Sequence, residues 1–362
     1  MSDIVSIFCA LKGHCILISQ SRQFFVQRGK AEAMAYLRRM VVGISANPQS
    51  KHFVVESVKR ALVHSASAVG MPIARDFVEA ATNATGGPVS YLVPSEFVTK
   101  MVDAGESKIF MSTRDTLVRA YMAGAILALA AWFAVTINVA TGQPIVGALL
   151  FPVGFSMLIL LGFDLLTGVF VLTPLAWLDR RPGVTIAGIL RNWGLVFIGN
   201  FLGALTVAFF MAFTTTFGFT QAPNKVGTVI GNIGEARTLG YAAHGAMGMV
   251  TLFMRGMLCN WMVSTGVVGA MISTTVPGKV IAMWMPILVF FYMVFEHSVV
   301  NMFLFPAGLM LHAPFSIMDY FIWNEIPTVL GNLAGGLAFT GLTLYATHVK
   351  TAPKRAALKQ VA

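Results

Sequence analysis

One short stretch, Phe295-Glu296-His297-Ser298-Val299-Val300-Asn301, sets a carboxylate and an imidazole side by side inside a long apolar run. Such a pair can hold, accept or pass on a proton, because histidine changes charge between about pH 5 and 8 and responds to burial and nearby charge. A second acid, Asp164, interrupts a similar run, Leu161-Gly162-Phe163-Asp164-Leu165-Leu166-Thr167-Gly168. Other chemistries find few residues to carry them. The seven histidines form no metal-ligand pair, no Gly-x-Ser-x-Gly elbow occurs, and Cys9, Cys15 and Cys259 give neither a disulfide framework nor a zinc pattern. The sequence calls for no cofactor and argues against an enzyme.

The elements that must position these groups follow from composition. Of 362 residues 56% are apolar and 11% charged, against roughly 25% charged in a soluble domain. The 34 glycines and a mean hydropathy of +0.75 suit a polytopic all-α membrane protein whose helices approach closely. The net charge of +10 sits in terminal segments and short loops, with no basic face carrying base-stacking aromatics, so nucleic acid is not an expected partner.

A membrane-spanning helix takes about 20 apolar residues. Six segments qualify: 117–139, 145–178 (interrupted near 162–173), 186–217, 245–274, 279–311 (interrupted near 296–301) and 326–348. Arg180, Arg181, Arg191, Lys279 and the basic tail lie on one side, which the positive-inside rule makes cytoplasmic, with both termini. Arg255 is the exception and is expected to snorkel toward the outer interface. Pro94 onward reads as an interfacial helix leading into the first span. Residues 1–93 form an N-terminal cytoplasmic extension, either with an amphipathic helix over Ile4–Ile18 or as an overextended start whose true initiator is Met71. Residues 94–350 form the transmembrane domain, and 351–362 a basic cytoplasmic tail.

Two three-span units repeat within that domain, over 94–217 and 245–349. Phe163-Asp164 matches Phe295-Glu296, Pro174 matches Pro306, Asn192 matches Asn324, and Gly199-Asn200 with Gly203 matches Gly331-Asn332 with Gly335. Each acid stands 36 residues before its asparagine. Three spans per unit force opposite topologies, an inverted repeat with its site at interrupted helices near the midplane. Asp164 and Glu296 are read as structural, accepting backbone N–H groups at the interrupted helix ends. Asn200 and Asn332 are read as markers of close helix packing.

Residues 94–350 resemble the formate/nitrite transporter family. The resemblance is carried by Phe295-Glu296-His297-Ser298-Val299-Val300-Asn301-Met302-Phe303, Gly256-Met257-Leu258-Cys259-Asn260-Trp261-Met262-Val263 and Gly162-Phe163-Asp164-Leu165-Leu166-Thr167-Gly168. It implies an aquaporin-like protomer, a homopentamer in the inner (cytoplasmic) membrane, and one pore per protomer for small monovalent anions, formate or nitrite, often with protons. By motif position it implies His297 as the central histidine and Thr167 as its hydrogen-bonding partner. Phe151 and Phe290 match an outer apolar constriction, Phe155 and Leu166 an inner one, and Asn260, Val263 and Asn301 further pore-lining positions. Phe163, Leu166, Ser264 and Gly266 depart from the pattern. Where the family carries a vestibule lysine the count reaches His244, with Arg237 the alternative source of that charge.

A weak-acid anion crosses two apolar constrictions most easily as its conjugate acid, which makes His297 the expected proton donor or stabiliser. The competing expectation is a water or small neutral-solute channel of similar architecture. Such channels use paired Asn-Pro-Ala half-helices and a filter arginine, whereas the one Asn-Pro here, Asn47-Pro48, lies outside the spans.

Overall fold

The computed structural model describes residues 91–350. The expected extension, apart from its last three residues, and the basic tail lie outside the described residues. The described residues are helical throughout: α1 Pro94–Phe110, α2 Thr113–Thr141, α3 Pro144–Leu160, α4 Leu166–Leu178, α5 Ile186–Thr215, α6 Lys225–Ala236, α7 Leu239–Ala242, α8 Gly245–Ile272, α9 Val276–Tyr292, α10 Ser298–Met310 and α11 Ile317–Lys350. Four of these (α2, α5, α8 and α11) are long and apolar enough to cross a bilayer, and α3, α4, α9 and α10 are shorter apolar helices.

Glycine lets the long helices pair. In α2–α5, a side chain at Gly203 would collide with the Tyr121 carbonyl, and one at Gly124 with the Asn200 backbone. In α8–α11, Gly335 meets the Met257 backbone and Gly331 the Phe253 carbonyl in the same way. Close backbone approach is the main packing device where lipid removes the hydrophobic drive.

The two interruptions are tighter than expected and built alike. The first occupies 161–165: the Phe163 N–H bonds to the Leu158 carbonyl (2.9 Å) across Gly162, whose φ is 73°. The second occupies 293–297: the Phe295 N–H bonds to the Phe290 carbonyl (3.1 Å) across Val294, whose φ is 56°. Both are six-to-one helix stops. Helix resumes at Leu166 and Ser298, so Thr167 and Asn301 stand on first turns and not in coil.

Three other expectations need correction. The last span starts at Ile317, not Ile326, because Ser316 and Asp319 form a capping box there, and the helix carries π-helical stretches at Phe321–Glu325, Gly336–Leu342 and Ala346–Lys350. The helix α1 does not merely lie at an interface: Phe97, Val98, Met101 and Val102 are buried, and the α1 glycine Gly105 sits hard against the Leu172 backbone of α4. The amphipathic α6, between α5 and α8, was not expected at all.

Candidate functional site

Each interruption is held by one asparagine. The Asn200 side chain accepts from Leu166 N–H (2.9 Å) and donates to the carbonyls of Asp164 (2.9 Å) and Ala120 (2.7 Å). The Asn332 side chain accepts from Ser298 N–H (3.0 Å) and donates to the carbonyls of Glu296 (2.9 Å) and Gly256 (2.8 Å). These amides therefore cap the resumed helices and tie them to α2 and α8, beyond the packing role expected of them. Backbone at this depth must be satisfied by protein, and here it is.

The acids do something else than expected. Asp164 pairs with Lys108 of α1, and Glu296 faces Arg237, just past α6, at 3.4 Å. Asn192 and Asn324 each donate to the carbonyl of that cation's residue, Lys108 and Arg237, at 3.0 Å. Neither carboxylate caps a helix; each is buried and balanced by a cation, Lys108 from α1 and Arg237 from the turn after α6. A buried charge needs such a partner. The second network is the denser one. Glu296 also accepts from Tyr241 Oη (2.9 Å), Asn301 Nδ2 (3.0 Å) and Asn324 Nδ2 (3.3 Å), and Asn301 Nδ2 also bonds Asn324 Oδ1 (2.7 Å).

A cavity of about 770 Å³ leads to His297. His244, Arg237, Tyr241 and Arg255 supply part of its polar lining, and Phe290, Phe291, Phe295, Val300 and Leu304 much of its apolar lining. Arg255 reaches back toward the start of α8. Its Nη1 donates to Tyr241 Oη at 3.0 Å, with the guanidinium 6.0 Å from the ring centroid. Burial, with the Glu296 charge next, pushes the Tyr241 phenol up to about 12, so it stays a donor to the carboxylate.

Around His297 the aromatic rings close together. Phe151 meets Phe290 edge-on at 5.6 Å and stacks on Phe291 at 3.9 Å, and the Phe290 ring lies 5.5 Å from the imidazole. His297 Nδ1 accepts from the N–H groups of Val299 (3.1 Å) and Val300 (3.4 Å), while Nε2 lies 3.4 Å from Thr167 Oγ1. With Nδ1 occupied by two donors, the neutral ring carries its hydrogen on Nε2. Asn260 supports this arrangement: its Nδ2 donates to the carbonyls of Thr167 (3.1 Å) and Asn332 (2.7 Å).

Of the expected site residues, His297, Phe290 and His244 line the cavity, while Thr167 and Phe151 contact that lining from behind it and Asn260 bonds the Thr167 carbonyl. Phe155, Leu166 and Val263 are buried but line no part of the cavity, and Asn301 is spent on Glu296 and Asn324. Sequence reasoning missed Tyr241, for which no signal existed, and the site roles of Arg255 and Asn324, for which lone charge in an apolar run and the repeat register were the available signals.

Known proteins match this chain in sequence and in fold. A sequence model described as "Formate/nitrite transporter" matches residues 95–346. A "Probable formate transporter" of Methanothermobacter thermautotrophicus is 36% identical over 207 residues, covering 55% of this chain and 73% of the relative. Two solved structures share the fold. An "FNT family ion channel" has a TM-score of 0.61 at 23% identity, covering 70% of this chain and 99% of that one. A "Pentameric formate channel with formate bound" has a TM-score of 0.53 at 22% identity, covering 64% and 96%. With the family match running through both interruptions and the histidine between their flanking helices, this chain belongs to the formate/nitrite transporter family.

Proposed function

We propose that residues 94–350 form a channel domain that moves small monovalent weak-acid anions, formate or nitrite, across the cytoplasmic membrane through a pore in each protomer. Six spans in two inverted units, with both termini inside, are supported by the matched hydrogen bonds of Asn200 and Asn332 and by the basic loops. A homopentamer is supported by the likeness to a pentameric channel and by apolar side chains exposed along the long helices. The cavity wall formed where α2 ends and α8 begins is then the outer mouth.

The observation that carries this reading is His297 among the residues lining the cavity, its ring 5.5 Å from Phe290 and its Nε2 3.4 Å from Thr167 Oγ1. A bare charge at the bilayer centre costs from about 3 to more than 10 kcal/mol, so an unaided anion stalls at the aromatic barrier. A hydrogen-bond donor at that depth stabilises the anion, and a proton delivered there lets it pass as the neutral acid. In this scheme Thr167 and Asn260 hold the imidazole and the loop, and Phe151 with Phe290 keeps out bulk water; Phe155, Leu166 and Val263 form the exit side. Arg237, Arg255 and His244 favour an anion over a neutral solute. Uptake of labelled formate and nitrite into proteoliposomes across an imposed pH gradient tests this. Accumulation driven by an acidic exterior supports it, and glycerol permeation without formate flux overturns it.

A further inference from the structure

Two guanidinium groups reach the cavity, and they are not equivalent. Arg237 faces the Glu296 carboxylate at 3.4 Å and donates to Asn301. Arg255 has no carboxylate within ion-pair distance among the described residues, although it stands in the middle of a membrane-spanning helix. Ionisable groups at such positions are costly and face a partner or a pathway. Here a pathway is present: Met247, Gly248, Thr251 and Arg255 recur at helical spacing along one face of α8, with His244 at its N-cap, and all line the cavity that His297 also lines.

The guanidinium is also anchored through one nitrogen. Tyr241 spends its hydroxyl hydrogen on Glu296 (2.9 Å) and accepts from Arg255 Nη1 (3.0 Å). Arg255 Nε and Nη2 have no hydrogen-bond partner among the described residues. These two nitrogens form one edge of the planar fork, whose parallel N–H groups match two oxygens carried on one atom.

We propose that this edge of Arg255 is a binding site for a planar two-oxygen anion, a carboxylate or nitrite, captured bidentately before it meets Phe290 and His297. The inference rests on the anion-transport reading above and adds a selectivity device to it. A carboxylate gains two aligned charge-assisted hydrogen bonds at this site and supplies the counter-charge that Arg255 lacks. A compact anion such as hydrosulfide accepts through a single atom and gains little beyond charge. Tyr241, anchored by Glu296, is the positioning residue.

The test compares formate, nitrite and hydrosulfide uptake into proteoliposomes holding the full chain, its Arg255→Lys variant and its Arg255→Gln variant. Absence of formate flux through the unmodified protein would sink the transport reading itself, and so is distinguishable from failure of this one. With that flux present, Arg255→Lys keeps the charge but loses the fork. Half-saturating formate and nitrite concentrations should then rise about tenfold, the scale of one charge-assisted hydrogen bond, while that for hydrosulfide stays within about twofold. Arg255→Gln should raise all three. Equal changes for the three anions in Arg255→Lys, or none, would overturn the proposal. Should both variants fail to assemble at the native size, Tyr241→Phe releases Nη1 without touching the charge. The same selective rise, about threefold, is expected, and its absence would overturn the proposal equally.

Discussion

Asn200 and Asn332, 132 residues apart in the chain, make the same three kinds of hydrogen bond: one accepted from the first N–H of a resumed helix, one donated to the acid before it, and one donated to a neighbouring long helix. Each amide closes a gap that would otherwise leave backbone polar groups unpaired deep in the protein. Replacing Asn332 with Leu strands the Ser298 N–H and the Glu296 carbonyl, at a cost of about 3 kcal/mol. Thermal unfolding in detergent should show a large fall in midpoint for Asn332→Leu and a similar one for Asn200→Leu. A change in only one of them would break the equivalence.

Glycine at the helix crossings sets a second expectation. Gly335→Ala would drive a methyl into the Met257 backbone, and Gly203→Ala into the Tyr121 carbonyl, neither of which can yield as a side-chain tip can. Both variants should lose most of the folded protein recovered from membranes. Gly194→Ala, where an added carbon meets nothing within 4 Å, should be recovered normally.

Val294 occupies the left-handed region at φ 56°, where the matching residue of the first interruption is Gly162. A β-branched side chain there carries strain of roughly 1–2 kcal/mol. Val294→Gly should therefore stabilise the protein by about 1 kcal/mol after the added chain entropy of glycine, read as a higher unfolding midpoint. A lower midpoint would mean that Val294 earns its place by packing.

What the sequence makes legible here is periodicity and punctuation. Four long apolar helices and the places where two further runs break follow from apolar runs and repeat register, and the nearness of Thr167 to His297 from motif position. Partner choice did not follow, because it depends on which amphipathic helix folds back over which acid. Asp164 and Glu296 look like helix-capping carboxylates until Lys108 and Arg237 arrive from residues 56 and 59 positions earlier. The partner of Arg255 was hidden in the same way, because Tyr241 comes from the short α7. The helix α6 went unseen because Gly227, Gly231 and Gly234, which read as loop formers, lie on its buried face.

The pH dependence of transport should not arise at Tyr241. Its phenol is pushed from 10.0 up to about 12, chiefly by burial. The neutral phenol's contribution to stability is thus fully present below pH 10 and is lost only as pH climbs toward about 12. Tyr241→Phe should leave the shape of the formate uptake profile between about pH 5 and 8, the range in which histidine titrates, unchanged even where uptake at low formate is reduced. A shifted profile in that variant would assign the proton step to the Tyr241–Glu296 network instead.

The most direct test concerns the imidazole of His297, which lines the cavity. Formate uptake into proteoliposomes is measured against external pH for the unmodified protein and for His297→Asn, which keeps a polar group of similar size without a titrating ring. The proposed mechanism predicts that acidifying the exterior accelerates uptake through the unmodified protein and that His297→Asn transports slowly with little response to pH. An unaltered pH profile in His297→Asn would contradict it.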